Sequence, residues 1–246
     1  MSQTPPRVEF PSTHWSIVAG LADPSDPAFR RHLETLVERY WKAAWSFLAR
    51  LPAVPPGRAL DVAQEFFASL LEKGRLGEYS PERGSFRAYL KSALRRFGIS
   101  ERRAEKTPAF RLDATGLEPP DPSLSPESAF DRAWAQGVIA EAVAELQRHL
   151  AREWKSIYFD LFREYYLEPS GLAVRRETAA EMVDPTAVSV SYETLAARHR
   201  IAPHDVANHL RHARQVFVRL LQARAQEYLG PGVNAADELR FLLARE

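Results

Sequence analysis

Apolar residues recur at helical spacing through most of this chain, and no segment alternates as a half-buried strand would. Over residues 32–51, Leu33, Leu36, Val37, Tyr40, Ala44, Phe47, Leu48 and Leu51 trace one helical face, and the loop PAVPPG at 52–57 ends it. A second helix is expected from Asp61. With Asp61 set at 0° and an advance of about 100° per residue, Asp61, Glu65 and Glu72 fall within about 40° of one another. Ala63, Phe66, Phe67 and Leu70 fall on the other side, with Gln64 at the edge. After a turn-rich loop at 74–84, a third helix from about Ser85 repeats an apolar stripe: Phe86, Leu90, Ala93, Leu94 and Phe97. Beside it runs a basic row of Arg87, Lys91 and Arg95, continued by Arg96, Arg102, Arg103 and Lys106. One helix thus presents carboxylates and the next presents cations, which suggests two different partners.

The flanking segments complete the pattern. Ser12 or Thr13 could cap a short helix holding Trp15, Ile17 and Val18. Residues 107–126 are rich in Pro, Asp, Glu and Ser and read as a linker. From 129 to about 166, Trp134, Val138, Ile139, Ala142, Leu146, Leu150, Trp154, Ile157, Leu161 and Tyr165 keep helical spacing. Residues 168–190 are less regular and read as a long loop. Ser191 then caps a short helix with Leu195 and Ala196 inside, the chain turns at 200–202, and Pro203 opens a longer helix. That helix is expected to bury Val206, Leu210, Ala213, Phe217 and Leu220 or Leu221. Short helix, turn, longer basic helix is the helix-turn-helix order. The expected fold is all-α: a helical domain over 1–106, a linker over 107–126, a helix-turn-helix domain over 127–230, and an amphipathic tail over 231–246.

Composition narrows the chemistry. The chain has 246 residues, 45% of them hydrophobic and 26% charged, as in a folded globular protein. Its net charge of +1 says nothing about nucleic acid, but the basic stretch at 84–106 could neutralise phosphates locally. No cysteine is present, which excludes disulfides, thiolate catalysis and cysteine-ligated zinc. No secretory pattern opens the sequence and no apolar run reaches the roughly 18 residues of a membrane span, so a cytoplasmic protein is expected. There is no glycine-rich phosphate loop and no G-x-S-x-G nucleophile, so neither catalysis nor a cofactor is expected. Asp205, His209 and His212 share a helix face, as metal ligands can. They are expected to be exposed polar side chains, with no metal. The tryptophans at 15, 41, 45, 134 and 154 are expected to pack in the core.

Three motifs in order carry a resemblance. DVAQEFFASLL (61–71), SFRAYLKSALRRFGISERR (85–103) and SYETLAARHRIAPHDVANHLRHARQVF (191–217) resemble domains 2 and 4 of extracytoplasmic-function (ECF) sigma factors of bacterial RNA polymerase. FPSTHWSIV, YSPERGSFRAYL and ADELRFLLA are similar to a subgroup common in planctomycetes. The resemblance implies that Asp61, Gln64 and Glu65 dock on the coiled coil of the β′ clamp. It implies that Arg87, Tyr89, Lys91, Arg95, Arg96, Arg102 and Arg103 open and hold the minus-ten element, cations on phosphates and Tyr89 against a base. It further implies that the second domain meets the β flap. There His204, Asn208, His209, Arg211 and Arg214 would read promoter DNA, with Asn208 suited to adenine and the arginines to guanine or phosphate. An anti-sigma or other regulatory protein is a further implied partner. The recognition helix departs from the family's Gly-Thr-Val-Lys-Ser-Arg-like stretch: Ala207 replaces a cation, and Asp205 repels phosphate unless it accepts from a cytosine amino group. Two other readings stay open: a sigma-like regulator without promoter activity, and a helix-turn-helix DNA-binding protein acting without polymerase.

Overall fold

The computed structural model describes residues 25–73, 79, 85–100, 119–167 and 190–228, and among these the chain is helical with no strand. In chain order the helices are α1 (Phe29–Ala49), α2 (Ala59–Lys73), α3 (Phe86–Ile99), α4 (Pro126–Arg152), α5 (Ser156–Phe162), α6 (Tyr192–His199) and α7 (Pro203–Tyr228). A π-helical turn, Arg163–Leu167, extends α5. The proposed N-terminal helix, the loop at 168–189 and the C-terminal tail lie outside the described residues.

The helices start where the sequence supplies a cap. Ser85, Ser125 and Ser191 each accept a hydrogen bond from the backbone amide three residues on, at Ala88, Ser128 and Thr194. Each such cap contributes about 1 kcal/mol. Pro126 follows Ser125 at the first helical position, where its missing amide costs nothing. Expected and observed starts agree at Ser85, Ser191 and Pro203. The basic helix, however, stops at Ile99, because Ser100 takes an extended backbone.

Burial follows the expected stripes. On α1, Leu33, Leu36, Tyr40, Ala44, Phe47 and Leu48 are fully covered, and on α2 so are Val62, Ala63 and Phe67. The long helix α4 lies along α1 with one part of its apolar surface and along α7 with another. Phe130 and Trp134 enter the core near Tyr40 and Phe47, while α7 packs on α5 and α6 as well. One contiguous apolar cluster therefore includes residues from α1 through α7. Arg50, just past α1, donates to the carbonyls of Pro122 and Leu124 and ties down the segment that leads into α4.

The spacing over 129–166 predicts one uninterrupted pattern, but the structure breaks it after Arg152. The Lys155 amide bonds the Leu150 carbonyl at 2.9 Å and the Trp154 amide bonds that of Ala151 at 3.1 Å. These two bonds close a helix in the manner usually reserved for a left-handed glycine. Trp154 occupies that position with φ 60°, a conformation that costs an L-residue about 1–2 kcal/mol. Its side chain is 95% exposed, which corrects the expectation that it packs. Trp134 is buried, and Trp41 and Trp45 are partly so.

Candidate nucleic-acid and partner surfaces

The carboxylate face of α2 is real but unequal. Asp61 is exposed in the first turn, where the helix N-terminus favours a negative charge. Gln64 is half-buried, and the Glu65 side chain is only 12% exposed. Arg58 lies 3.1 Å from Asp61 and 3.6 Å from Glu65, so one cation serves two carboxylates and the face keeps a net negative charge.

The basic row of α3 faces α4. Arg87 is 5% exposed; its guanidinium lies 4.2 Å over the Trp134 ring, with Nη1 3.5 Å from Asp131. Burial pulls this guanidinium below its ordinary value, against the opposing field of Asp131. Lys91 Nζ donates to both Asp131 oxygens at 2.9 Å. Arg95 pairs with Glu127. Burial pushes the Glu127 carboxyl up, but the hydrogen bond from Arg95, a backbone hydrogen bond and the charges of Arg95 and Lys91 together outweigh it, and the net shift is downward. Cations at 87, 91 and 95 thus meet carboxylates at 127 and 131, both sets spaced one helical turn apart. Arg96 is exposed, and the Arg95 side chain is about half-exposed. Tyr89 is half-buried, its ring 5.6 Å from Tyr79 and 6.0 Å from Phe86. Phosphate can reach Arg95 and Arg96 directly, whereas reaching Arg87 requires parting α3 from α4. Arg102 and Arg103 lie outside the described residues.

α6 and α7 follow in the expected order of a short helix, a turn and a longer helix. Arg200 supplies the left-handed residue of the turn, and the Ile201 amide bonds the Ala196 carbonyl at 3.1 Å. Val206, Leu210, Ala213, Phe217 and Leu221 are buried, leaving His204, Asn208 and Arg211 exposed on the opposite face. Asn208 accepts from Arg211 at 2.9 Å, which orients its amide. Arg214 and His209 are half-buried, and His209 stacks on Tyr158 with ring centroids 4.0 Å apart. Burial lowers the His209 and His212 imidazoles below their usual range, so neither adds charge at neutral pH. Among the described residues no three His, Asp or Glu side chains gather closely enough to hold a metal.

Glu164, in the π-helical turn, anchors α6 and is a residue the sequence reading missed. It is 7% exposed, pairs with Arg198, and lies 2.9 Å from His199 Nε2. Burial alone would push its carboxyl up; the bonds from Arg198 and His199 prevail and hold it below the ordinary glutamate value. A depressed carboxyl contributes stability that is present above the unfolded pKa and lost as pH falls through the folded one. Glu164→Gln is therefore expected to cost about 2 kcal/mol at pH 7, the scale of hydrogen bonds to a charged group. In unfolding curves taken from pH 7 down to 3, the gap between wild type and variant should narrow as the carboxylate is protonated. A gap that stays constant with pH would remove the charge from this account.

Asp131, Glu127, Glu164 and Trp154 are thus the additions the structure makes to the candidate residues. Among the described residues no helix is long and apolar enough to cross a membrane. No protein-family model, no curated protein and no solved structure matches the chain.

Proposed function

We propose that this chain is an initiation factor of bacterial RNA polymerase, of the ECF sigma type. It would bind core enzyme through the Asp61–Gln64–Glu65 face of α2 and promoter DNA through α3 and α7. The observation that carries the reading is the placement of two polar faces on separate helices of one core. A carboxylate face on α2 lies apart from a short helix, turn and longer helix, α6 to α7, of which the second exposes His204, Asn208 and Arg211. On α3, Arg95 and Arg96 are the cations placed to meet phosphate first, with Tyr89 nearer the start of the same helix. The factor carries no reaction of its own, since polymerase makes the RNA. A cytoplasmic setting and an anti-sigma or similar protein partner belong to the same proposal.

The test is association with core polymerase by gel filtration and by titration. Asp61→Ala with Glu65→Ala is expected to weaken it tenfold or more, about 1.4 kcal/mol. Wild-type protein that fails to co-elute with core enzyme would sink the reading.

A second reading is supported by the α3–α4 ion pairs and by Asp205 and Ala207 on α7. A sigma-like protein whose DNA-facing cations are occupied would bind polymerase or an accessory protein without directing transcription. Runoff transcription with core enzyme separates the two, because promoter-specific transcripts would eliminate the regulator.

A further inference from the structure

Trp154 combines three properties that core packing does not explain. It stands at the α4–α5 corner in a backbone conformation suited to glycine, and it is 95% exposed. Among the described residues no ring or cation packs on its indole. Its immediate surroundings are cationic. Arg152 and Lys155 flank it, and Arg148 lies one turn back; the side chains of Arg148 and Arg152 are more than half exposed. The nearby carboxylates are already committed: Glu145 is shared by Arg148, Arg152 and Arg224, and Glu153 by His149 and Lys155. Lys155 Nζ lies 3.4 Å from His212 of α7, and over residues 206–226 that helix contains arginines and no acidic residue. The corner is therefore a bare aromatic plane set in a field of excess positive charge.

We infer that Trp154 is a stacking platform for an unpaired base, with Arg152 and Lys155 holding the adjoining phosphates of a single-stranded nucleic acid. The charge selects a polyanion, and the exposed indole selects one that offers a ring face. Bases inside a duplex stack on each other and present only their edges, so the partner is a single strand. Base-on-aromatic contact tolerates every base, so little sequence preference is expected here. Trp154 is not among the residues assigned to polymerase or promoter duplex, and binding of a free single strand tests this site whether or not the chain binds polymerase.

The experiment uses the full chain and a labelled twelve-nucleotide oligo-dT strand, read by fluorescence anisotropy at low salt. An abasic strand of equal length and charge is the control. Trp154→Ala and Trp154→Gly are each expected to weaken binding of oligo-dT by about 5- to 100-fold. Trp154→Phe, which keeps a ring, should stay within about threefold of wild type. The abasic strand should bind wild type and all three variants alike. Trp154→Gly suits the left-handed backbone, so its melting temperature should match or exceed that of wild type, and its lost affinity cannot be ascribed to unfolding. Equal affinity of wild type and Trp154→Gly for oligo-dT would overturn the proposal. So would an equal loss on the abasic strand, or a Trp154 dependence seen only in binding of a protein such as core polymerase.

Discussion

Asp131→Ala is expected to destabilise the protein by about 3–5 kcal/mol, the cost of leaving a buried charge without its counterion. The charge in question is Arg87, whose side chain is 6% exposed and whose Nη1 lies 3.5 Å from the Asp131 carboxylate. Lys91 shares that carboxylate but is less affected, because its side chain is 21% exposed and can turn to water. The large figure is a property of breaking the pair, not of the pair itself. Arg87→Met with Asp131→Leu removes both charges and keeps similar volume, and is expected to fall within about 1–2 kcal/mol of wild type. Denaturant unfolding at pH 7 measures both variants, with an unchanged slope confirming that only stability has moved. If Asp131→Ala cost less than about 1 kcal/mol, water would have to reach Arg87 freely, contrary to its burial. The result also bears on the proposed function: a variant that loses stability but keeps the proposed DNA binding would leave Arg95 and Arg96 as the cations of α3 assigned to it.

What the sequence disclosed depended on whether one helix contained the whole signal. The buried stripes of α1, α2 and α7 were legible because a one-sided helix must turn its apolar face to a core. The starts of α3, α6 and α7 were legible from Ser85, Ser191 and Pro203, each a local chemical cue. The fate of Arg87 was not. It sits next to Phe86 at the edge of the apolar stripe, and whether an edge cation meets water or a neighbouring helix is decided by packing. The matching one-turn spacing of Glu127 and Asp131 was present in the sequence, but nothing local joins residues some forty positions apart. The break at Trp154 was hidden for a different reason. A glycine there would have marked a helix end, whereas tryptophan at helical spacing imitates a core position. Glu164 was missed because its partners, Arg198 and His199, come from a different helix.

Phe162→Ala is expected to cost about 3–5 kcal/mol, the usual range for removing a buried aromatic ring. Phe162 is 1% exposed on α5, with its ring centroid 5.2 Å from Phe217 of α7 and 5.0 Å from Tyr166. The ring is part of the seat on which α7 rests, because α7 packs against α4, α5 and α6. For a chain of this size each kcal/mol moves the melting temperature by about 2–4 °C, so the variant should melt roughly 6–20 °C lower. How it melts is as informative as where. Since α4 packs on both α1 and α7 within one apolar cluster, the loss at Phe162 should lower a single transition. Phe47→Ala, made in α1, should lower that same transition. A second transition, moved by Phe47→Ala and untouched by Phe162→Ala, would instead show two units that fold independently on either side of the Pro-rich segment. Under the single-transition outcome, changes in α1 also loosen the seat of α7. Phe47→Ala would then weaken the proposed DNA binding near its melting temperature, although Phe47 is on α1 and His204, Asn208 and Arg211 are on α7.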